Sequence, residues 1–266
     1  DLVLVAVPDE EAAGTISERI MHRWAPMART ALILEPGELR DGSETIVAGR
    51  RGMAEWRLEV TGTAAHSGLA YWRGRSALAA AAEWSARAQA LSQPGAGATV
   101  NVSRLIAGDT DFVDNLAAHH LLLGTSRRLN VVAERAVAEG EVRFLRSEDE
   151  HATLARLEAL TADISGSREV EMRFARGTHV APVDPDGPGR PLAERAVALA
   201  AARGWALEIE DDRGGISFPN YLGDVRVAVV DGLGPAGGGM HTRDEFLDLR
   251  SLERRIVLLA DLLATL

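Results

Sequence analysis

The chain has 266 residues and a formal net charge of −10, with 46% hydrophobic and 26% charged residues. That is enough for one large globular domain or two smaller ones, and the acidic balance argues against a nucleic-acid partner. With no cysteine, disulfides, thiol nucleophiles and thiolate metal sites are excluded. All 29 basic residues are arginine, so no lysine is present for Schiff-base chemistry. No apolar run approaches the ~18 residues of a membrane helix, and nothing reads as a signal peptide. No membrane partner is expected, and a cytoplasmic location is.

The chain opens DLVLVAVPDEEAAG. LVLVAV, apolar on both faces, predicts a buried strand of a parallel sheet. Pro8 and Gly14 end it, with Asp9, Glu10 and Glu11 between them. Thr30 to Gly37 repeats the pattern: a short apolar run, an acid (Glu35), then Pro-Gly. Both acids fall at the carboxyl end of a strand, where open α/β sheets place their ligand crevice. Glu44 to Arg51 predicts a short strand or hairpin. Met53 to Gly62 alternates like a strand with one wet face, and Gly74 to Leu91 has helical spacing. Ala98 to Gly108 and Arg135 to Leu145 read as strands, Glu148 to Ala162 as an amphipathic helix, and Arg168 to Phe174 as a last strand. That β-α-β-β-α-β order matches a ferredoxin-like unit, interrupted by an unplaced stretch, Asp109 to Leu129. Beyond the loop PVDPDGPGR, Pro191 to Arg203 predicts a helix, and WALEIE and DVRVAVVDG predict strands. GLGPAGGGMH reads as a Gly-rich loop and Leu252 to Leu263 as a closing helix. The fold class is therefore α/β, with an α/β domain at residues 1–51 and 178–266 split by an inserted α+β domain at 52–177.

Four places carry candidate chemistry. In a turn, Glu10 and Glu11 can divide labour, one binding a metal and the other moving a proton from the water beside it. The plainer account is a solvated acidic turn supplying charge to a helix N-terminus. Glu35 is a second strand-end acid, with a turn acid as its plainer account. His241 follows a run of glycines that permits close backbone approach to a site. His66, in TGTAAHSG, follows a strand of the inserted domain. For both histidines the plainer account is a loop or capping residue. The His119–His120 pair is a poor candidate, since adjacent histidines rarely share a metal, and His22, His151 and His179 carry no local signal. Together, strand-end carboxylates and an imidazole suit a divalent-metal hydrolase, and the residues alone go no further.

The order and wording of these motifs resemble the dinuclear zinc aminoacylase/carboxypeptidase family, which includes glutamate carboxypeptidase, acetylornithine deacetylase and succinyl-diaminopimelate desuccinylase. PDEEAAG is similar to its Asp-Glu-Glu-x-Gly motif and LILEPG to its Glu-Pro motif. VTGTAAHSG with GRSA is similar to the start of its lid or dimerisation domain. LNVVAERAVAEGEVRFLRSED, FARG and GLGPAGGGMHTRDEF complete the series. The resemblance implies a zinc-exopeptidase-like catalytic domain, an inserted ferredoxin-like lid, and two divalent metal ions, zinc before cobalt or manganese. It implies Glu10 as general base, Glu11 and His241 as ligands of one metal, and Glu35 as ligand of the other. His66 would act on the oxyanion across a homodimer, with Asn130 assisting. Arg176 would bind a substrate carboxylate. Arg143 and Arg146 are further candidates for that carboxylate, with bracing of the strand pair as the alternative role for one of them. Gly214 and Gly215, in RGGIS, stand where many members have Gly-Gly-Thr-Asp and would contact substrate. The implied reaction is hydrolysis of an amide or peptide bond in N-acyl amino acids or small peptides.

Family members also carry a His ligand and a metal-bridging Asp upstream of the doubled acid. The expectation is an N-terminally incomplete chain and sheet, binding metal poorly and nearly inactive alone. The competing expectation is a non-catalytic dimerising module that kept the fold without a working metal site.

Overall fold

The computed structural model describes residues 2–9, 14–119, 130–222, 226–240 and 242–266. Its elements in chain order begin α1 (Thr15–Trp24), β1 (Thr30–Leu32), β2 (Pro36–Arg40), β3 (Ser43–Val47) and β4 (Gly52–Thr61). Then come α2 (Ala77–Gln89), β5 (Thr99–Gly108), α3 (Thr110–His119), β6 (Arg135–Phe144), α4 (Ser147–Arg168) and β7 (Glu171–Val180). The last are α5 (Arg190–Ala202), β8 (Leu207–Glu210), α6 (Phe218–Tyr221), β9 (Ala228–Val230), β10 (Gly234–Gly238), β11 (Phe246–Leu247) and α7 (Leu249–Leu263). They form two compact units, Asp1–Gly52 with Val180–Leu266, and Met53–His179.

The unit Met53–His179 is a four-stranded sheet in the order β5-β6-β4-β7. Strand β4 alternates as its sequence requires, burying Ala54, Trp56, Leu58 and Val60. Helix α2 starts where the Ser76 hydroxyl accepts the Ala79 N–H at 3.1 Å. It buries Ala77, Ala80, Ala81, Trp84 and Ala88, a stripe at helical spacing. Helix α4 buries Leu154, Leu157, Leu160 and Ile164 into the same core. Trp84 meets Trp56 edge-on at 5.0 Å between ring centroids, and its Nε1 donates to the Thr161 hydroxyl at 3.0 Å. Part of the unplaced stretch is α3; residues 120–129 lie outside the described residues.

The other unit holds a parallel pair, β1-β9, and a mixed sheet in the order β11-β10-β2-β3-β8. Within the mixed sheet β10-β2 and β3-β8 are parallel, while β10-β11 and β2-β3 are antiparallel. Helices α5 and α7 pack together over Ile46, Leu207, Val230 and Leu258. Pro191 lies in the first turn of α5, and Asp248 caps α7 by accepting the Arg250 N–H at 2.8 Å.

Two expectations are corrected here. Residues 2–7 are not a strand: Leu2 is 77% and Leu4 86% exposed, and no described strand pairs with them. Apolar side chains alone do not make a strand, which also needs a partner for its backbone N–H and C=O groups. The Gly-rich segment 234–238 is a strand, not a loop. Its glycines let neighbouring chains close in: a Cβ on Gly237 would lie 2.1 Å from the Phe246 carbonyl oxygen. Helix α1 was absent from the sequence reading.

Candidate active site

The inserted unit brings His66 and Asn130 together through backbone pairing. The Ser67 N–H donates to the Asn130 carbonyl at 2.9 Å and the Val132 N–H to the Ala65 carbonyl at 3.0 Å, around a bridge between His66 and Val131. The His66 ring is oriented by its own turn, because Nδ1 accepts the backbone N–H groups of Gly68 (3.1 Å) and Leu69 (3.3 Å). An acceptor at Nδ1 places the neutral ring's proton on Nε2. Asn130 Nδ2 lies 3.4 Å from Nε2. With the amide turned through 180°, its Oδ1 faces Nε2 and accepts that proton, so the two side chains hydrogen-bond each other. Both residues are exposed.

Arg176, on β7, is engaged elsewhere. Its Nε and Nη2 donate to Glu158 Oε1 at 3.1 and 2.7 Å on an exposed face. Arg143 pairs with Glu141 two residues away, with both contacts at 3.0 Å.

In the other unit, Glu10 and Glu11 lie outside the described residues, and so does His241. Their neighbour Asp9 is described. Its carboxylate accepts the Ile16 N–H (2.6 Å), the Ser17 N–H (3.1 Å) and the Ser17 hydroxyl (2.7 Å), securing the start of α1. The Ser17 hydroxyl, with these backbone donors, holds the Asp9 carboxyl below its ordinary value. Of the three adjacent acids, Asp9 thus serves a helix N-terminus.

Glu35 follows β1 as expected, half-buried. Its carbonyl accepts the Gly234 N–H at 2.9 Å, and a Cβ on Gly234 would lie 2.4 Å from the Leu34 carbonyl oxygen. The RGGIS segment is tied to this strand end. Arg213 Nη1 donates to the Pro36 carbonyl at 3.0 Å, while its Nε and Nη2 hold Glu210 at 3.0 and 2.6 Å. Gly215 is fixed through its carbonyl by Arg50 Nη1 at 2.7 Å. Arg213, the neighbour of Gly214, is thus hydrogen-bonded to Pro36, the neighbour of Glu35.

Arg50 and its partner Asp231 escaped the sequence reading. Asp231 fits the pattern that singled out Glu35, an acid straight after an apolar strand and before a glycine. It is not open to a ligand, because Arg50 Nε and Nη2 occupy Oδ2 at 3.0 and 2.5 Å and the Gly232 N–H occupies Oδ1 at 2.6 Å. Burial pushes the Asp231 carboxyl up, and Arg50 pulls it back. Among the described residues, no group of three or more His, Asp or Glu side chains converges as a metal site. Two of the three expected ligands are not among those residues.

Residues 48–169 match the family described as the peptidase dimerisation domain. The middle of this chain is similar to that domain. Within it stand His66 and Asn130. Carboxypeptidase G2 of Pseudomonas sp. (strain RS-16) is 26% identical over 260 residues, covering 97% of this chain and 57% of that protein. Among solved structures, aminopeptidase PepT from Bacillus cereus ATCC 10987 overlays with a TM-score of 0.76 at 20% identity, over 95% of this chain and 61% of that one. A tripeptidase from Staphylococcus aureus subsp. aureus mu50 gives 0.61 at 17% identity, over 82% and 52%. The resemblance read from the motifs holds, and these relatives are peptidases. The chain spans between about half and three fifths of the length of the relatives it matches. No helix among the described residues is long and apolar enough to cross a membrane.

Proposed function

We propose that the whole protein is a metal-dependent hydrolase of an amide or peptide bond in N-acyl amino acids or small peptides, acting as a homodimer through its dimerisation domain. The observation that carries this reading is the His66–Asn130 pair, two exposed polar side chains held 3.4 Å apart by the backbone pairing around them. Each can donate an N–H to a developing oxyanion, and preorganised donors at such a site lower the barrier. The kinship with carboxypeptidase G2 and the peptidase folds supports the same reaction class.

Glu11, Glu35 and His241 are the side chains assigned to hold two divalent cations. Carboxylates and an imidazole, without thiolate, suit zinc and equally cobalt or manganese. Bound there, such ions supply Lewis acidity to the carbonyl and to water. Glu10 takes a proton as the water oxygen attacks the amide carbon. It returns that proton to the leaving nitrogen as the carbon–nitrogen bond breaks, giving a carboxylate and an amine. His66 and Asn130 donate to the carbonyl oxygen as charge builds on it. Arg176 takes the substrate carboxylate by releasing Glu158, a cheap exchange because an exposed pair contributes only about 0–1 kcal/mol. Gly214 and Gly215 line the substrate.

The test uses the purified whole protein with a panel of N-acyl amino acids and dipeptides. Chelation should abolish amine release and added zinc restore it. Glu10→Gln should lower turnover by on the order of 10²–10⁴ while zinc content stays unchanged. Turnover that survives both treatments rules the reading out.

A further inference from the structure

Gly214 and Gly215 lie open to water, and a Cβ on Gly214 would meet nothing within 4 Å. The chain on either side of them is fixed. Before them, Arg213 pairs with residues 49–51: its N–H donates to the Gly49 carbonyl at 3.0 Å, and its carbonyl accepts the Arg51 N–H at 2.9 Å. The backbones are in tight contact there, since a Cβ on Gly49 would lie 2.0 Å from the Asp211 carbonyl oxygen. After them, Ser217 leads into α6 and to Asn220.

Residues 49–51 pair a second time, with residues 181–183. The Arg50 N–H donates to the Val183 carbonyl at 3.0 Å, and the Val183 N–H to the Arg50 carbonyl at 2.8 Å. Through these two runs the chain leaves for the inserted unit and returns from it. Asn220, only 3% exposed, joins all three pieces. Its Nδ2 donates to the Arg51 carbonyl at 3.1 Å and to the Ala181 carbonyl at 2.8 Å, one from each run. Its Oδ1 accepts the Ser217 N–H at 3.0 Å. Two carbonyls on one side and an N–H on the other leave the amide a single satisfied orientation.

We propose that Asn220 is a positioning residue for the substrate: it fixes the open glycines, Gly214 and Gly215, against both connecting runs, so that binding at the glycines and order in the runs are coupled. This rests on the reading that Gly214 and Gly215 line the substrate. A segment anchored at both ends and open between them meets a ligand with little ordering left to lose. Coupling of this kind works in both directions, from ligand to runs and from runs to ligand.

The test uses the whole protein and whichever amide of the panel it hydrolyses fastest, in wild type, Asn220→Asp and Asn220→Ala. Asn220→Asp keeps the shape and the acceptor for the Ser217 N–H and removes both donors. Each variant should raise KM about tenfold, with kcat within about twofold and zinc content unchanged. A second measurement needs no variant at position 220. In Glu10→Gln, whose slow turnover spares the substrate, saturating substrate should slow hydrogen exchange at the Arg50 and Val183 amides, and adding Asn220→Asp should abolish that change. If no panel member is hydrolysed, or if chelation and Glu10→Gln leave turnover intact, the functional reading fails and takes this proposal with it. If that reading holds while Asn220→Asp keeps the wild-type KM, or while substrate leaves exchange at Arg50 and Val183 untouched, only this proposal falls. A lower kcat at constant KM, in step with a smaller folded fraction, would mark Asn220 as merely structural and overturn it as well.

Discussion

Arg50 grips Asp231 with two nitrogens, Nε at 3.0 Å and Nη2 at 2.5 Å, and both side chains are buried. The third nitrogen, Nη1, holds the Gly215 carbonyl. Replacing either partner alone leaves an uncompensated charge in the interior. Arg50→Ala or Asp231→Ala should each cost about 3–5 kcal/mol in urea unfolding. The double variant should cost well below the sum, since the second truncation removes a charge already stranded. Strict additivity would mean that the two groups are not coupled.

The donor pair predicts a defined kinetic signature. His66→Ala or Asn130→Ala should lower kcat by about 10²–10³ in the whole protein, with KM little changed. On the proposed oxyanion role the double variant should fall short of the product, because both groups would act on one oxygen. A rise in KM at constant kcat would assign the pair to ground-state binding instead.

Asp9 gives α1 a pH dependence of known sign. Its carboxyl lies below the ordinary value of 3.8 because the Ser17 hydroxyl and the Ile16 and Ser17 N–H groups favour the anion. A depressed folded-state pKa contributes stability that is present above the unfolded value and lost as pH falls through the folded one. Amide-hydrogen protection in Thr15–Trp24 should therefore hold at neutral pH and decline below the usual carboxylate range. Asp9→Ala should show reduced protection at neutral pH and converge with wild type in acid, with the acid-dependent step gone. A step that survives the substitution would have to come from another carboxylate.

In the inserted unit, Trp84 Nε1 depends on the Thr161 hydroxyl at 3.0 Å in a buried setting. Thr161→Val keeps the shape and removes the acceptor. The stranded donor should cost about 1–3 kcal/mol, measured by denaturant titration. Trp84→Phe removes the donor as well, and it should recover part of that loss in the Thr161→Val background.

The inserted unit was legible because its signals are local and its core is its own. Strand β4 alternates apolar and polar residues along its length, and α2 shows its stripe in the bare sequence. The other unit was harder. LVLVAV has the composition of a buried strand, but pairing depends on distant segments that composition cannot report. The glycines of Gly234–Gly238 looked like a loop because glycine's permissiveness is the stronger local signal. Their use, close approach to Phe246 and Leu34, is set by tertiary neighbours. Glu35 was readable as a strand-end acid. Asp231 has the same signature and a different task, and only the arginine 181 positions away distinguishes them. His66 and Asn130 were named by resemblance, and the pairing that joins them crosses 64 positions, beyond the reach of any local pattern.

The alanines of α2 bear on how this chain can drift. Ala77, Ala80, Ala81 and Ala88 are completely buried, so the helix lies close against the sheet and one tryptophan supplies most of the bulk between them. Adding even a few methylenes at those positions costs about 1–3 kcal/mol, whereas outward-facing neighbours are nearly free to change. A shape secured by a few small residues imposes few letters on the sequence. Lineages can then exchange most of their residues and still superimpose, as this chain and aminopeptidase PepT do at 20% identity.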